Sequence, residues 1–210
     1  MKTTSTARAA VGALLLLAVT LTGCGSGGED PGGAASDGSG SAPRSASVPA
    51  EAEPLLAEYG LDGMDSVGII DHLDRLATDE RPVDLMASVR PGELVVTSGE
   101  EEFSLDIPED QFYLSVAPYV DQTHECFNHS LTTCQGELSA EDVQVQLVDD
   151  TNDEVLVDGT RTTFDNGFVG FWLPRDIEGT LRVTYDGQAG EIDFATDAEA
   201  PTCVTTLQLT

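Results

Sequence analysis

The sequence predicts an α+β protein with two parts, a small N-terminal helical and hairpin module followed by an all-β, sandwich-like domain. Apolar residues recur at helical spacing over residues 52–77. From Glu93 onward the chain instead shows short apolar or alternating stretches separated by Gly-bearing turns. Short strands at this spacing are typical of a β-sandwich of the immunoglobulin or transthyretin type.

The first 50 residues predict an exported, lipid-anchored chain. Lys2 and Arg8 form a short positive region before the apolar stretch Ala9–Leu21, which is too short to span a bilayer and typical of a secretory signal. The following Leu-Thr-Gly-Cys resembles a bacterial lipobox, which predicts a signal peptide over residues 1–23 and a lipid on Cys24. An ordinary cleaved signal peptide is the alternative. We therefore expect an extracytoplasmic protein anchored to the cell membrane of a bacterial envelope.

Residues 24–50 are rich in Gly, Ser, Ala and Pro and lack apolar periodicity, which predicts a flexible tether. The N-terminal module is predicted over residues 51–110. Its first short helix ends at Gly60, and Asp65 or Ser66 caps the second. The predicted strands of this module are Leu85–Val89, Leu94–Thr97 and Phe103–Ile107.

The β-domain is predicted over residues 111–210. Its turns are "DNG", "PRDIEG" and "DGQAG", and the single Trp, within Phe164 to Asp176, is expected to help fill the sandwich core. The predicted strands are Phe112–Ala117, Val143–Val148, Val155–Thr163, Phe168–Leu173, Thr180–Tyr185, Glu191–Ala195 and Cys203–Leu209.

The charge is strongly acidic, with 38 acidic against nine basic residues and a net charge of −29. Without Lys2 and Arg8 the balance becomes 7 − 38 = −31. Such a field repels nucleic acid and attracts cations, including metal ions and basic partners, although a general adaptation of surface charge is the simpler explanation. The sequence shows no catalytic triad, phosphate loop or paired-carboxylate signature, so we expect a binding protein rather than an enzyme.

Four candidate metal ligands lie in the stretch "HECFNHSLTTC". They are His124, Cys126, His129 and Cys134. The spacing matches neither a thioredoxin-like motif nor a zinc ribbon. Thiolates select Cu(I), zinc or iron–sulfur centres, and imidazole suits copper and zinc. The third cysteine of the predicted folded body, residues 51–210, is Cys203. Its alternation with two leucines of the last strand predicts that its side chain points toward the core.

Three interpretations of these cysteines stay open. In the first, the cysteines bind a metal. In the second, Cys126 and Cys134 form a structural disulfide. In the third, a thiol beside a disulfide takes part in redox exchange. With Cys24 assigned to lipid, the body holds an odd number of cysteines, so a simple set of paired disulfides is excluded.

Long ordered strings in the chain resemble the CueP family of periplasmic copper-binding proteins. They are "YGLDGMDSVGIIDHLDRL", "DLMASVRPGELV", "FYLSVAPYVDQTHECFNHSLTTCQGELS", "RTTFDNGFVGFWLPRD" and "TCVTTLQLT". The resemblance runs from about Leu55 to Thr210 and includes all three cysteines of the body. The lipobox and the tether depart from the family pattern, since we expect its better-known members to be free in the periplasm.

The resemblance implies a role in copper resistance or homeostasis. It implies Cu(I) bound by the thiolates of Cys126, Cys134 and Cys203, with His129 or His124 as a nitrogen donor. It further implies reduction of Cu(II), delivery of copper to a periplasmic copper–zinc superoxide dismutase, exchange with a disulfide isomerase or reductase, and a homodimer formed through the N-terminal module. The alternatives are an extracytoplasmic thiol-disulfide oxidoreductase and a disulfide-stapled β-sandwich interaction module.

Overall fold

The computed structural model describes residues 48–210. The predicted signal peptide, the lipidation site Cys24 and most of the tether lie outside the described residues. Within 48–210, no helix is both long and apolar enough to cross a membrane.

Two short helices begin the described chain. Helix α1 spans Glu53–Glu58 and is followed by Gly60, whose φ of +71° is readily adopted only by glycine. Helix α2 spans Ser66–Asp74, and Asp65 caps it by accepting a hydrogen bond from the Gly68 N–H at 2.8 Å. A short 3₁₀ turn follows at Thr78–Glu80. These elements confirm the helices that the sequence predicts.

Eleven strands follow among the described residues, most of them antiparallel to their neighbours. They form three sheets with the orders β3-β2-β1-β5, β10-β9-β6-β7 and β11-β4-β8. Strand β11 is parallel to β4. Their bounds are β1 Met86–Arg90, β2 Glu93–Ser98, β3 Glu101–Asp106, β4 Gln111–Val116, β5 His129–Ser130, β6 Asp142–Asp149, β7 Glu154–Thr162, β8 Val169–Pro174, β9 Glu178–Tyr185, β10 Gln188–Ala195 and β11 Cys203–Val204.

The sheet β11-β4-β8 is buried on both faces, and this determines where the site forms. One face packs on the four-stranded sheet β10-β9-β6-β7, with Leu114 and Phe171 in the shared core. Its other face contributes Tyr113 and Trp172 to a second core, which includes the helices and the sheet β3-β2-β1-β5. The predicted α+β fold class, with helices first and a β-rich domain after them, is confirmed.

Several local expectations are wrong. The last predicted strand ends at Val204, and beyond it only a bridge from Gln208 to Tyr119 continues the pairing. Trp172 packs against Tyr113 and donates to Asp71 on α2, so it does not fill the sandwich core. Strand β5 was not predicted, and it joins the sheet of the N-terminal module by pairing with β1. The division into modules at residue 110 stays a prediction.

Candidate metal centre

Two short strands bring the cysteine- and histidine-bearing segments together. Strand β5 pairs with β1 so that His129 lies opposite Val89, and β11 runs beside β4 with Cys203 opposite Ser115. Thr202 joins the two strands: its hydroxyl accepts from the His129 N–H at 3.0 Å and donates to the Val89 carbonyl at 2.6 Å. These contacts fix His129 and Cys203 side by side in the interior.

The three sulfur atoms of the body lie in one cluster. Cys126 and Cys203 form a disulfide, with 5.7 Å between their Cα atoms. Cys134 is free, and its Sγ lies 3.5 Å from the Sγ of Cys126. The interpretation of a Cys126–Cys134 disulfide is therefore wrong, because β11 places Cys203 directly against the loop and Cys203 is the bonded partner.

Two sets of metal donors overlap at Cys134. One consists of His124, Cys126 and Cys134, and the other of His129, Cys134 and Cys203. Within each set all donor atoms lie within 4.8 Å of one another. The second set is deeper, since His129 and Cys203 are buried. Together the sets contain every site residue that the sequence predicts in the described part of the chain.

A buried aromatic ring supports both histidines. The ring of Phe168 lies 4.6 Å from the His129 ring and 6.3 Å from the His124 ring, centroid to centroid. His124 itself is exposed, and it lines two surface cavities of about 350 and 470 Å³. One of these cavities also reaches Cys126. A ligand from solvent can therefore reach the His124 side directly but not the His129 side.

The turn that carries Phe168 also holds the C-terminal end of the loop. Gly136 donates its N–H to the Asn166 carbonyl at 2.7 Å. A Cβ at Gly136 would lie 2.6 Å from the Gly167 carbonyl oxygen, so only glycine fits this approach. Arg81, which is largely buried, donates from Nη1 to the Cys134 carbonyl at 2.8 Å. Cys134 is thus fixed from two sides.

His129 and Cys134 shift each other's protonation. Burial lowers the pKa of His129, but Asp74 and Cys134 outweigh burial and raise it to about 9. Burial raises the pKa of Cys134, but His129, the Ser130 N–H and His124 bring it down to about 7. The geometry therefore favours an imidazolium beside a thiolate near neutral pH, and the thiolate is the form that binds metal.

Asp74 belongs to the site, although it is not among the site residues predicted from the sequence. Its carboxylate is completely buried and lies 2.9 Å from His129 Nε2. Burial raises the pKa of this carboxyl, but His129, Tyr113 and Asn166 hold it below its usual value. One signal was available: Asp74 follows Ile70 by four residues, which puts a carboxylate on the apolar face of α2.

The donor set fits a soft, monovalent cation. Each set contains two cysteine sulfurs and one imidazole nitrogen, which are ligands that Cu(I) prefers, and two or three such ligands satisfy it. Carboxylates do not form part of either donor set. The site is thus unsuited to Mg²⁺ or Ca²⁺, which take oxygen ligands.

Comparisons with known proteins agree with this chemistry. The family model described as "Periplasmic copper-binding protein CueP" matches residues 68–208. A solved structure described as "Crystal Structure of S.CueP" is 38% identical, with a TM-score of 0.72. The match covers 78% of this chain and 100% of that one. No curated protein matches the sequence. The chain therefore belongs to the CueP family of periplasmic copper-binding proteins.

Proposed function

We propose that this protein binds Cu(I) through the thiolates of Cys126, Cys134 and Cys203 and acts in copper homeostasis. The observation that carries the proposal is the convergence of these three sulfurs with two imidazoles around one shared cysteine. His129 is the inner nitrogen donor, through Nδ1, which lies 3.7 Å from the Cys203 sulfur. His124 is the outer donor that meets copper arriving from solvent.

Binding by all three thiolates requires that the Cys126–Cys203 disulfide be reduced. Two electrons and two protons convert it into two thiols, and a disulfide reductase of the envelope is the class of donor needed. In the reverse direction, oxidation of two thiolates to one disulfide releases two electrons, which reduce two Cu(II) to two Cu(I). We propose that the protein reduces Cu(II) in this way, and that the envelope reductase then reduces the disulfide again, with two electrons and two protons, to restore the three thiols that retain Cu(I).

Anaerobic titration with Cu(I), in competition with a Cu(I) chelator, tests the binding proposal. The free thiols of the reduced protein are counted before and after loading. With the protein unfolded for the count, we expect the thiols of Cys126, Cys134 and Cys203 to be free without copper and protected with it, and a loss of affinity of at least hundredfold in the Cys134→Ser/Cys203→Ser variant. Cys24→Ser, at the cysteine that is not among the proposed copper ligands, is the matched control and should bind Cu(I) normally. Unchanged affinity in the double variant would contradict the proposal.

A thiol-disulfide oxidoreductase is the second candidate function, and one contact favours it. The free Cys134 sulfur lies 3.5 Å from the disulfide sulfur of Cys126, close enough for exchange within the chain. Turnover of a model disulfide by the metal-free protein, abolished by Cys134→Ser, would support this candidate. Turnover only when copper is supplied would support copper reduction instead.

Anchoring and delivery are further parts of the proposal. The lipobox-like sequence supports a lipid on Cys24, so a Cys24→Ser variant should leave the membrane fraction.

We propose that copper passes to a periplasmic copper–zinc superoxide dismutase, which predicts activation of the copper-free enzyme by the Cu(I)-loaded protein. Sedimentation of the folded body at increasing concentration tests the homodimer. A lipidated Cys24 would confine delivery to partners that reach the membrane surface.

A further inference from the structure

A buried carboxylate on the N-terminal helix makes contact with the inner histidine. Asp74 is the last residue of α2 and is completely buried. Its Oδ1 accepts from His129 Nε2 at 2.9 Å and from Asn166 Nδ2 at 2.8 Å. Its Oδ2 accepts from the Tyr113 hydroxyl at 2.6 Å and lies 3.5 Å from Ser115 Oγ. Both carboxylate oxygens therefore have partners, from β4, β5 and the turn before β8.

This arrangement suits an anion held permanently in the interior. A buried carboxylate is costly unless it is paired and hydrogen-bonded, and Asp74 meets both conditions. Asn166 also donates to the main-chain carbonyl of Asp74, at 3.1 Å. Asn166 therefore holds both the side chain and the main chain of Asp74 in position.

The fixed carboxylate orients the histidine ring. The Nε2 of His129 points at Asp74, so the opposite nitrogen, Nδ1, faces the sulfur of Cys203 at 3.7 Å. Phe168 packs on the ring and limits its rotation. An imidazole whose one nitrogen donates to a carboxylate presents its other nitrogen as the metal donor, and such partners also raise the basicity of the ligand.

We propose that Asp74 is a positioning residue that holds a proton on His129 Nε2 and so makes His129 Nδ1 the nitrogen donor for Cu(I). The inference deepens the proposed function and rests on it for the role of copper. It also makes helix α2 a part of the metal site, because the carboxylate comes from the N-terminal part of the chain. His124, by contrast, is exposed.

The first test uses nitrogen NMR of the wild-type protein, since Cu(I) is diamagnetic. In the copper-free, reduced protein we expect a slowly exchanging proton on His129 Nε2, a readout that needs no copper. In the Cu(I)-loaded protein we expect Nδ1 to carry the metal while Nε2 keeps its proton. Copper bound to Nε2 of His129, or an unprotected Nε2 proton in the copper-free protein, would overturn the proposal.

The second test separates positioning from packing with three variants. Asp74→Ala should lose the protected Nε2 proton and bind Cu(I) ten- to hundredfold more weakly, the range measured for partners of metal-bound histidines. Asp74→Asn keeps the shape and one acceptor oxygen, so it should recover part of the protection of the Nε2 proton and part of the Cu(I) affinity. Tyr113→Phe is the matched control, because it removes another hydrogen bond of Asp74 but leaves the contact with His129 intact.

We expect Tyr113→Phe to lower stability while its Cu(I) affinity stays within threefold of wild type. Equal loss of affinity in Tyr113→Phe and Asp74→Ala would show that Asp74 only supports the fold, and would overturn the inference. If Asp74→Ala does not fold, the wild-type NMR measurement still decides. A protein that keeps the protected Nε2 proton yet binds no Cu(I) would refute the proposed function and leave the positioning contact standing.

Discussion

The inner and outer sides of the thiol cluster hold the same residue types in different surroundings. On the inner side His129 is buried, paired with Asp74 and packed against the tilted ring of Phe168. On the outer side His124 is exposed and touches the same aromatic ring only at a longer distance. Both histidines come from one short stretch of sequence. The difference shows that burial and a fixed partner, rather than residue type or spacing, decide which histidine has a defined geometry.

The largest expected effect concerns Phe168, whose ring packs near both histidines. Phe168→Ala removes a completely buried ring, and we expect the free energy of unfolding to fall by about 3–5 kcal/mol. Phe127→Ala is the matched control: Phe127 follows Cys126 in the sequence but is 58% exposed, and the loss of its ring should cost less than about 0.5 kcal/mol. Denaturant unfolding of the oxidised protein measures both. Similar losses would mean that Phe168 does not support the inner side.

Copper affinity distinguishes the two histidines directly. We expect His129→Ala to weaken Cu(I) binding at least about tenfold, because it removes the donor itself and the loss of a ligand's partner alone typically costs about ten- to hundredfold. His124→Ala should stay within about threefold, since the thiolates and His129 remain in place. Competition with a Cu(I) chelator gives both values, and the exposed His72→Ala is the control. The reverse order of effects would place the nitrogen donor on the outer side.

The pH dependence of stability isolates the inner pair. The pKa of His129 is raised to about 9 in the folded protein, so its contribution is fully present below about pH 6.5 and is lost as the pH rises through 9. The pKa of Cys134 is lowered to about 7, so its contribution grows with pH and offsets this loss. Cys134→Ser removes the part of the His129 shift that comes from Cys134 but keeps the part from Asp74, so we expect the stability of this variant to fall by about 1–2 kcal/mol between pH 6.5 and 9.

Unfolding curves of the oxidised protein across this pH range test the expectation. The stability of the wild type should change less with pH than that of Cys134→Ser, because the contributions of His129 and Cys134 oppose each other in the wild type. A flat profile in Cys134→Ser would contradict a protonated His129 in the folded state.

The smallest expected effect concerns the reactivity of the free thiol. In the oxidised protein Cys134 is the free thiol among residues 48–210, and in a Cys24→Ser background its rate of alkylation should rise with pH around a midpoint near 7. His129→Ala should move the midpoint upward by about one pH unit, since His129 is the main group that lowers this pKa. His124→Ala should move it less. The rate of reaction with iodoacetamide at several pH values measures the midpoints.

Much of the fold could be predicted from sequence because local patterns carry it. The Asp65 cap, Gly60 and the alternating apolar residues each act over a few positions, and the helices and most strands follow from them. The family resemblance and its copper-binding character are confirmed, and the family supports the predicted extracytoplasmic location. Strand β5 escaped prediction because it has two residues and is stabilised by pairing with β1.

The sequence by itself determined the α+β class, the acidic character and the inventory of soft donors, because composition and short-range pattern are sufficient for these. Only the tertiary structure decided which donors meet. Cys203 reaches Cys126 across 77 positions because β11 lies beside β4, and Asp74 reaches His129 because α2 packs on the sheet that carries Tyr113. Such contacts depend on the packing of distant segments, which no local pattern encodes.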